Sequence, residues 1–145
     1  MKIYFDNCSL QRPLDDQTQP RIFLESEAVS EILLLCESGK FIFVASEILE
    51  IEINKMPQPK RKNLARKCLN LAHDKILTTQ EIIVRANDFE KRGFAVFDAL
   101  HLASAEAAQV DYFCTCDDKF LKRAKAQIDL KVRVCNPLEL AQEIL

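Results

Sequence analysis

Short apolar segments alternate along this chain with longer segments of helical periodicity, and this alternation constrains the fold more than any other feature. Residues 3–5, 41–45 and 112–115 have the length and apolar character of buried strands, and residues 131–134 alternate as an edge strand does. Helices are predicted at residues 21–38, after Ser46, at residues 60–73, from Thr78 or Thr79 to Arg92, from Asp98 onward, at residues 119–125, and from Pro137 to Leu145.

Strands that alternate with helices imply a mainly parallel sheet, because right-handed crossovers place helices on both of its faces. The predicted fold class is therefore α/β, with three layers in which a central sheet is flanked by helices. A length of 145 residues suits one domain, so residues 1–145 are predicted to form a single domain. With 48% hydrophobic and 29% charged residues, the composition excludes a disordered chain.

Single residues mark several ends of these elements. Gly39 and Gly93 supply the left-handed conformation that commonly ends a helix, and Ser46 is a good N-cap for the helix that follows the second strand. Pro57 and Pro59 end that helix. Residues 12–20 have turn chemistry and predict a loop.

Charge and cysteine usage limit the class of protein. The 20 Lys and Arg against 22 Asp and Glu give a net charge of −2, which excludes binding of nucleic acid by bulk positive charge but leaves room for a local basic patch. The six cysteines are mostly isolated among apolar residues, which favours structural thiols in a reducing cytoplasm over a disulfide framework or a zinc ribbon. No apolar run is long enough to cross a bilayer, so we expect no membrane association.

Acidic residues gather where the predicted strands end and the next helices begin. Ligands of open α/β sheets bind beyond the carboxyl ends of the strands, so this edge is where function is expected. Each acid taken alone has a structural interpretation, because a carboxylate also caps or stabilises the start of a helix. The acids concerned are Asp6, Asp98, Asp117, Asp118 and, on the helix after Ser46, Glu47, Glu50 and Glu52.

Several carboxylates in one place repel and raise one another's pKa, and a hard divalent cation such as Mg²⁺ or Mn²⁺ relieves that repulsion. Such an ion lowers the pKa of water and offsets charge on a phosphate, which allows phosphodiester hydrolysis without a protein nucleophile. The cluster therefore favours a metal site.

In their order and spacing these segments resemble the PIN-domain nucleases, including the VapC-type toxins of bacterial toxin–antitoxin pairs. The matching segments cover nearly the whole chain: Ile3-Tyr4-Phe5-Asp6-Asn7, residues 46–53, Asp98-Ala99-Leu100-His101-Leu102-Ala103 and Thr115-Cys116-Asp117-Asp118-Lys119-Phe120. The resemblance implies a PIN-like fold and a ribonuclease in which Asp6, Glu52, Asp98 and Asp117 hold Mg²⁺ or Mn²⁺, with Asn7 and Asp118 nearby. It also implies an RNA substrate, a cognate antitoxin protein and a homodimer.

Two features depart from the family pattern. Cys8 stands where many members have an asparagine after the first acid, and Asn7 follows Asp6 directly. Of the three glutamates, Glu52 lies six residues after Ser46, as in the family's serine-to-glutamate segment, and Glu50 is the reserve candidate. Glu47 is interpreted as a surface residue that complements the helix dipole.

Other residues admit both a structural and a functional interpretation. The resemblance gives His101 no catalytic part, so a core or helix-packing histidine is predicted. The apolar helix at residues 21–38 closes the core by default, although the resemblance implies that it could do more, because PIN domains commonly dimerise through helices and bind an antitoxin peptide in a groove. Basic residues could contact RNA phosphates beside the acids or form an ordinary solvated face, and they are Lys55, Lys60, Arg61, Lys62, Arg66, Lys67, Lys119, Lys122, Arg123 and Lys125.

Competing functions fail on single features. The segment after the first strand has no glycine and the chain has no P-loop pattern, which excludes both nucleotide-binding motifs. A haloacid-dehalogenase-like phosphatase needs a second Asp where Cys8 stands, and a response-regulator receiver needs its acids in another order, which leaves it a weak alternative. The remaining alternative is a PIN-like scaffold that binds RNA or protein without cleavage.

Overall fold

Five parallel strands form the centre of the molecule, described for residues 1–145 by a computed structural model. Their order across the sheet is β3-β2-β1-β4-β5, so the first strand is the middle one. Ile3 of β1 pairs with Phe43 of β2 on one side and Tyr112 of β4 on the other. The strands are β1 (Lys2–Phe5), β2 (Ile42–Ser46), β3 (Asp74–Ile76), β4 (Tyr112–Cys114) and β5 (Arg133–Cys135).

Eight helices and one short 3₁₀ turn connect the strands. A first-position proline begins α2, α4 and α8, where the missing N–H of proline costs no hydrogen bond. The helices are α1 (Asn7–Gln11), α2 (Pro20–Glu37), α3 (Glu47–Asn54), α4 (Pro59–Leu69), α5 (Gln80–Lys91), α6 (Val96–Ala107), α7 (Asp118–Lys125) and α8 (Pro137–Ile144), and the 3₁₀ turn is Arg12–Leu14.

Two cores lie on opposite faces of the sheet, because successive strand residues point to opposite sides. Ile3 and Phe5 of β1 pack with apolar residues of α1, α2, α3, α4 and α8, while Tyr4 between them packs with residues of α5, α6 and α7. The predicted three-layer α/β fold is confirmed.

The sequence misplaces several element boundaries. Residues 12–20 are not all loop, since Arg12–Leu14 forms a 3₁₀ turn and Pro20 begins α2. Strand β3 and helix α1 were not predicted, and α4 ends at Leu69 rather than residue 73. Asp98 does not open its helix, because α6 begins two residues earlier at Val96.

The eight helices range from 5 to 18 residues in length. None of them combines the length and the apolar character that crossing a membrane requires.

Candidate metal centre

The four acids selected from the sequence face one cavity. It lies at the carboxyl edge of the three central strands, where Asp6 follows β1, Glu52 belongs to the helix after β2, and Asp117 follows β4. Asp98 reaches the cavity from the first turn of α6. The cavity has a volume of about 380 Å³ and is lined by Asp6, Asn7, Cys8, Gln11, Asp15, Glu52, Arg61, Asp98, His101 and Asp117.

Asp6 and Asp117 are held by the helices that they cap. Asp6 Oδ1 accepts the backbone N–H of Ser9 at 3.0 Å in α1. Asp117 Oδ1 accepts the N–H groups of Lys119 and Phe120 at 3.0 and 3.1 Å in α7. Capping therefore fixes one oxygen of each carboxylate, and the structural interpretation of these acids is compatible with a functional one.

Asp98 differs from the other three because its carboxylate makes no hydrogen bond within the chain. Burial, together with the nearby Asp117, Asp6 and Glu52 carboxylates, raises its pKa to about 6, against a lowering by His101. Burial also raises the pKa of Asp6, against hydrogen bonds from Thr115, Cys8 and Ser9. The negative charges of the cavity are thus only partly compensated.

The three glutamates of α3 have different partners, and only one of them lines the cavity. Glu52 lines the cavity, and its Oε1 lies 3.3 Å from Nε2 of His101. Glu50 points away and pairs with Lys75 at 3.0 Å. Glu47 accepts the backbone N–H of Thr78 at 2.9 Å, so it anchors a loop rather than standing free on the surface.

The remaining sequence candidates have different surroundings. Asn7 and Cys8 line the cavity, and the Cys8 thiol donates to Asp6 Oδ1 at 3.0 Å. Asp118 lies outside the cavity lining and forms a bidentate pair with Arg21, at 2.5 and 2.8 Å.

Sequence reasoning missed several residues of the cavity. His101 is buried as predicted, with 2% of its surface exposed, yet it also contacts Glu52 and lines the cavity. Gln11 carried no motif that tied it to the acids, whereas Arg61 was among the basic residues that could contact RNA phosphates beside them. For His101 the only signal in the sequence was its position one turn after Asp98. Its contact with Glu52 joins residues that are 49 positions apart in the sequence.

The donors fit a hard divalent cation in their chemistry. All four acids offer oxygen, and none of them pairs with a lysine or arginine, although both residue types are abundant. As the side chains stand, no three His, Cys, Asp or Glu residues form a ready ligand set. Asp98, with no hydrogen bond and a raised pKa, is the acid whose charge a cation would relieve most.

The protein is an α/β protein with a parallel sheet and a cluster of acids at the carboxyl edge of that sheet. Comparison with protein families then identifies it: the PIN domain model matches residues 8–126, and the chain belongs to the PIN domain family. The match includes Glu52, Asp98 and Asp117 and begins two residues after Asp6. Among curated proteins, no sequence matches this one.

Two solved structures share the fold. One is the crystal structure of VapBC2 from Rickettsia felis bound to a DNA fragment from their promoter, with a TM-score of 0.60 and 14% identity over 94% of this chain and 98% of that chain. The other is VapBC-1 from nontypeable Haemophilus influenzae, with a TM-score of 0.57 and 13% identity over 95% of this chain and 99% of that chain.

Proposed function

We propose that this protein is a metal-dependent endoribonuclease and the toxin of a toxin–antitoxin pair. The observation that carries the proposal is the convergence of Asp6, Glu52, Asp98 and Asp117 on one cavity without a lysine or arginine partner. Membership of the PIN domain family and the similarity of fold to two VapBC proteins support it.

The four carboxylates would hold one or two Mg²⁺ or Mn²⁺ ions. When bound, such an ion supplies a Lewis acid that activates water and offsets charge on the scissile phosphate. The chain contributes preorganisation, because the capped carboxylates of Asp6 and Asp117 and the His101-bound carboxylate of Glu52 each have one oxygen already held. Asp98 contributes a carboxylate that is free to turn toward the ion.

Basic residues beside the cavity support an RNA substrate. Arg61 lines the cavity itself, where its Nη2 donates to Asp15 at 2.9 Å and to the Leu14 carbonyl at 3.1 Å. Lys60 precedes it in α4, and Lys55 lies just before that helix, with Nζ 5.7 Å from the centre of the Phe97 ring. A phosphate of a single strand that entered the cavity would meet the Arg61 guanidinium.

An antitoxin partner and a homodimer are part of the proposal. Helix α2 packs on the sheet with one side and leaves Phe23, Leu24 and Leu34 exposed on the other, at 46%, 52% and 59% of their surface. Apolar side chains of this size are typical of protein contacts. All six cysteines are free, which supports a reducing cytoplasm as the location.

Cleavage by matched variants tests the proposed activity. Wild-type protein, Asp98→Asn and Asp88→Asn would each be incubated with a mixed RNA pool in Mn²⁺, in Mg²⁺ and in chelator. Asp88→Asn is the control, because it makes the same chemical change in a carboxylate that pairs with arginines far from the cavity. We expect metal-dependent cleavage by wild type and Asp88→Asn, and a loss of about 100-fold or more for Asp98→Asn.

Two results would contradict the proposal. Cleavage that persists in Asp98→Asn would show that the site is wrong. Absence of cleavage by wild type in every condition, with RNA still bound in a filter assay, would instead favour the PIN-like scaffold that binds without cutting.

A further inference from the structure

A buried chain of polar side chains connects the core of the molecule to Glu52. Ser46 Oγ caps α3 by accepting the Leu49 N–H at 3.0 Å, and it lies 2.6 Å from the Tyr4 hydroxyl. The same hydroxyl lies 2.5 Å from Nδ1 of His101, and Nε2 of His101 lies 3.3 Å from Glu52 Oε1. This series of hydrogen bonds thus connects β1, the end of β2, α3 and α6.

The partners determine where the protons lie. Glu52 offers only acceptor oxygens as a carboxylate, so Nε2 of His101 donates to it. In the neutral imidazole Nδ1 is then the acceptor, and the Tyr4 hydroxyl donates to it. Ser46 donates in turn to the Tyr4 oxygen, while its own oxygen accepts the Leu49 N–H. Every member of the chain is satisfied in this order, as buried polar groups require.

We propose that Tyr4 and His101 are positioning residues for Glu52, holding one carboxylate oxygen so that the other is presented to the cation. The inference rests on the proposed function for the identity of that cation. Glu52 Oε2 makes no hydrogen bond within the chain, whereas Oε1 has His101 as its partner. Partners that orient a metal-binding carboxylate also influence metal affinity, and their loss typically weakens it by about 10- to 100-fold.

The surroundings keep this support rigid. Tyr4 is fully buried, and its ring lies against the Phe113 ring with centres 5.0 Å apart. His101 packs edge-on against Tyr4 with ring centres 5.8 Å apart. Tyr4 does not line the cavity, so it influences a bound cation through its hydrogen-bond partners His101 and Ser46 rather than by direct contact.

The two tyrosines of the chain give a matched test. Tyr4→Phe removes the hydroxyl that orients His101 and keeps the ring that fills the core. Tyr112→Phe is the control, because it removes the hydroxyl of the other tyrosine, which lies near Glu143 and does not line the cavity. Binding of Mn²⁺ alone to metal-free protein would be measured by calorimetry for wild type and both variants.

Imidazole nitrogen NMR gives a second readout that needs no metal. The chain has only two histidines. His73 is an internal reference, because its Nδ1 accepts the Phe43 N–H at 3.1 Å and its proton must therefore be on Nε2. In wild type we expect His101 to carry its proton on Nε2, as His73 does. In Tyr4→Phe we expect His101 to populate both tautomers, because Nδ1 has lost its donor.

The expected results are distinct from those of a structural role. Tyr4→Phe should weaken Mn²⁺ binding about tenfold, and Tyr112→Phe should leave it within about twofold. Unchanged Mn²⁺ affinity in Tyr4→Phe, or a wild-type His101 protonated on Nδ1, would overturn the inference. If wild type bound no Mn²⁺, the proposed metal function would fail, and the tautomer of His101 would still decide the proton order.

Discussion

Two groups of acids in this molecule differ in whether arginine side chains neutralise their negative charge. In the first group, here called the four-carboxylate site, Asp6, Glu52, Asp98 and Asp117 share a cavity without a lysine or arginine partner. The second group, here called the arginine-linked acids, consists of Asp88, Glu106 and Asp129, joined by Arg85 and Arg92.

Titration differs between the groups in the direction that their partners dictate. The Arg92 and Arg85 guanidiniums hold the pKa of Asp129 well below its usual range. Burial and neighbouring carboxylates instead raise the pKa of Asp98 to about 6. The chain itself neutralises the arginine-linked acids, whereas it places no lysine or arginine against the four-carboxylate site, where we propose that a cation from solution supplies the positive charge.

The largest expected effect is stabilisation of the wild-type protein by Mn²⁺. An ion that binds only the folded state raises the free energy of unfolding by about 2.7 kcal/mol at a free concentration about one hundred times its Kd. Urea unfolding with and without Mn²⁺ measures this, and Asp98→Asn should lose most of the gain. An equal gain in Asp98→Asn would mean that the ion binds elsewhere.

A smaller effect is expected when the arginine-linked acids are disturbed. Glu106 is buried and accepts Arg85 Nε at 2.7 Å and the backbone N–H of Lys131 at 2.9 Å. Glu106→Gln should lower the free energy of unfolding by about 2 kcal/mol, because hydrogen bonds to a charged group are replaced by weaker ones. The value would come from urea unfolding.

The variant to compare with Glu106→Gln is Asp98→Asn, measured in chelator. Asp98 has a raised pKa, so its charged form is disfavoured by folding and opposes stability above about pH 6. Removing that charge should leave the metal-free protein as stable as wild type at neutral pH, or more stable. Equal losses in the two variants would remove the distinction between the groups.

The smallest effect is expected at Glu50, the reserve glutamate. Its pair with Lys75 is exposed, and such pairs contribute little to stability. Glu50→Gln should change the free energy of unfolding by less than about 0.5 kcal/mol and leave Mn²⁺ affinity unaltered, whereas Glu52→Gln should weaken it. Calorimetry measures Mn²⁺ affinity in both variants. A loss of affinity in Glu50→Gln but not in Glu52→Gln would make Glu50 the metal-binding glutamate.

Much of the fold was predictable because its signals are local. The strand-length run at residues 41–45 and the Ser46 cap predict β2 and α3 without knowledge of the tertiary structure. Strand β3 could not be predicted, since Asp74–Ile76 has no apolar pattern and exists through its pairing with β2. Helix α1 is only five residues long and is fixed by the Asp6 cap rather than by periodicity.

The site divides in the same way. Order and spacing selected the four acids through the resemblance to the PIN-domain nucleases, with Asp6 and Asp117 directly after strands and Glu52 and Asp98 within helices. The contact between His101 and Glu52 could not be predicted, since it depends on how α3 and α6 pack against each other. Arg61 is similar, because its position in the cavity follows from the packing of α4 on α1.

The central position of β1 has a consequence for the order in which the protein is made. Of the five strands of the sheet, β1 is made before the others and needs β4, more than one hundred residues later, before both of its edges are paired. Asp117 emerges later still. A ribosome therefore makes Asp6 more than one hundred residues before Asp117, and the site cannot assemble until Asp117 has been made.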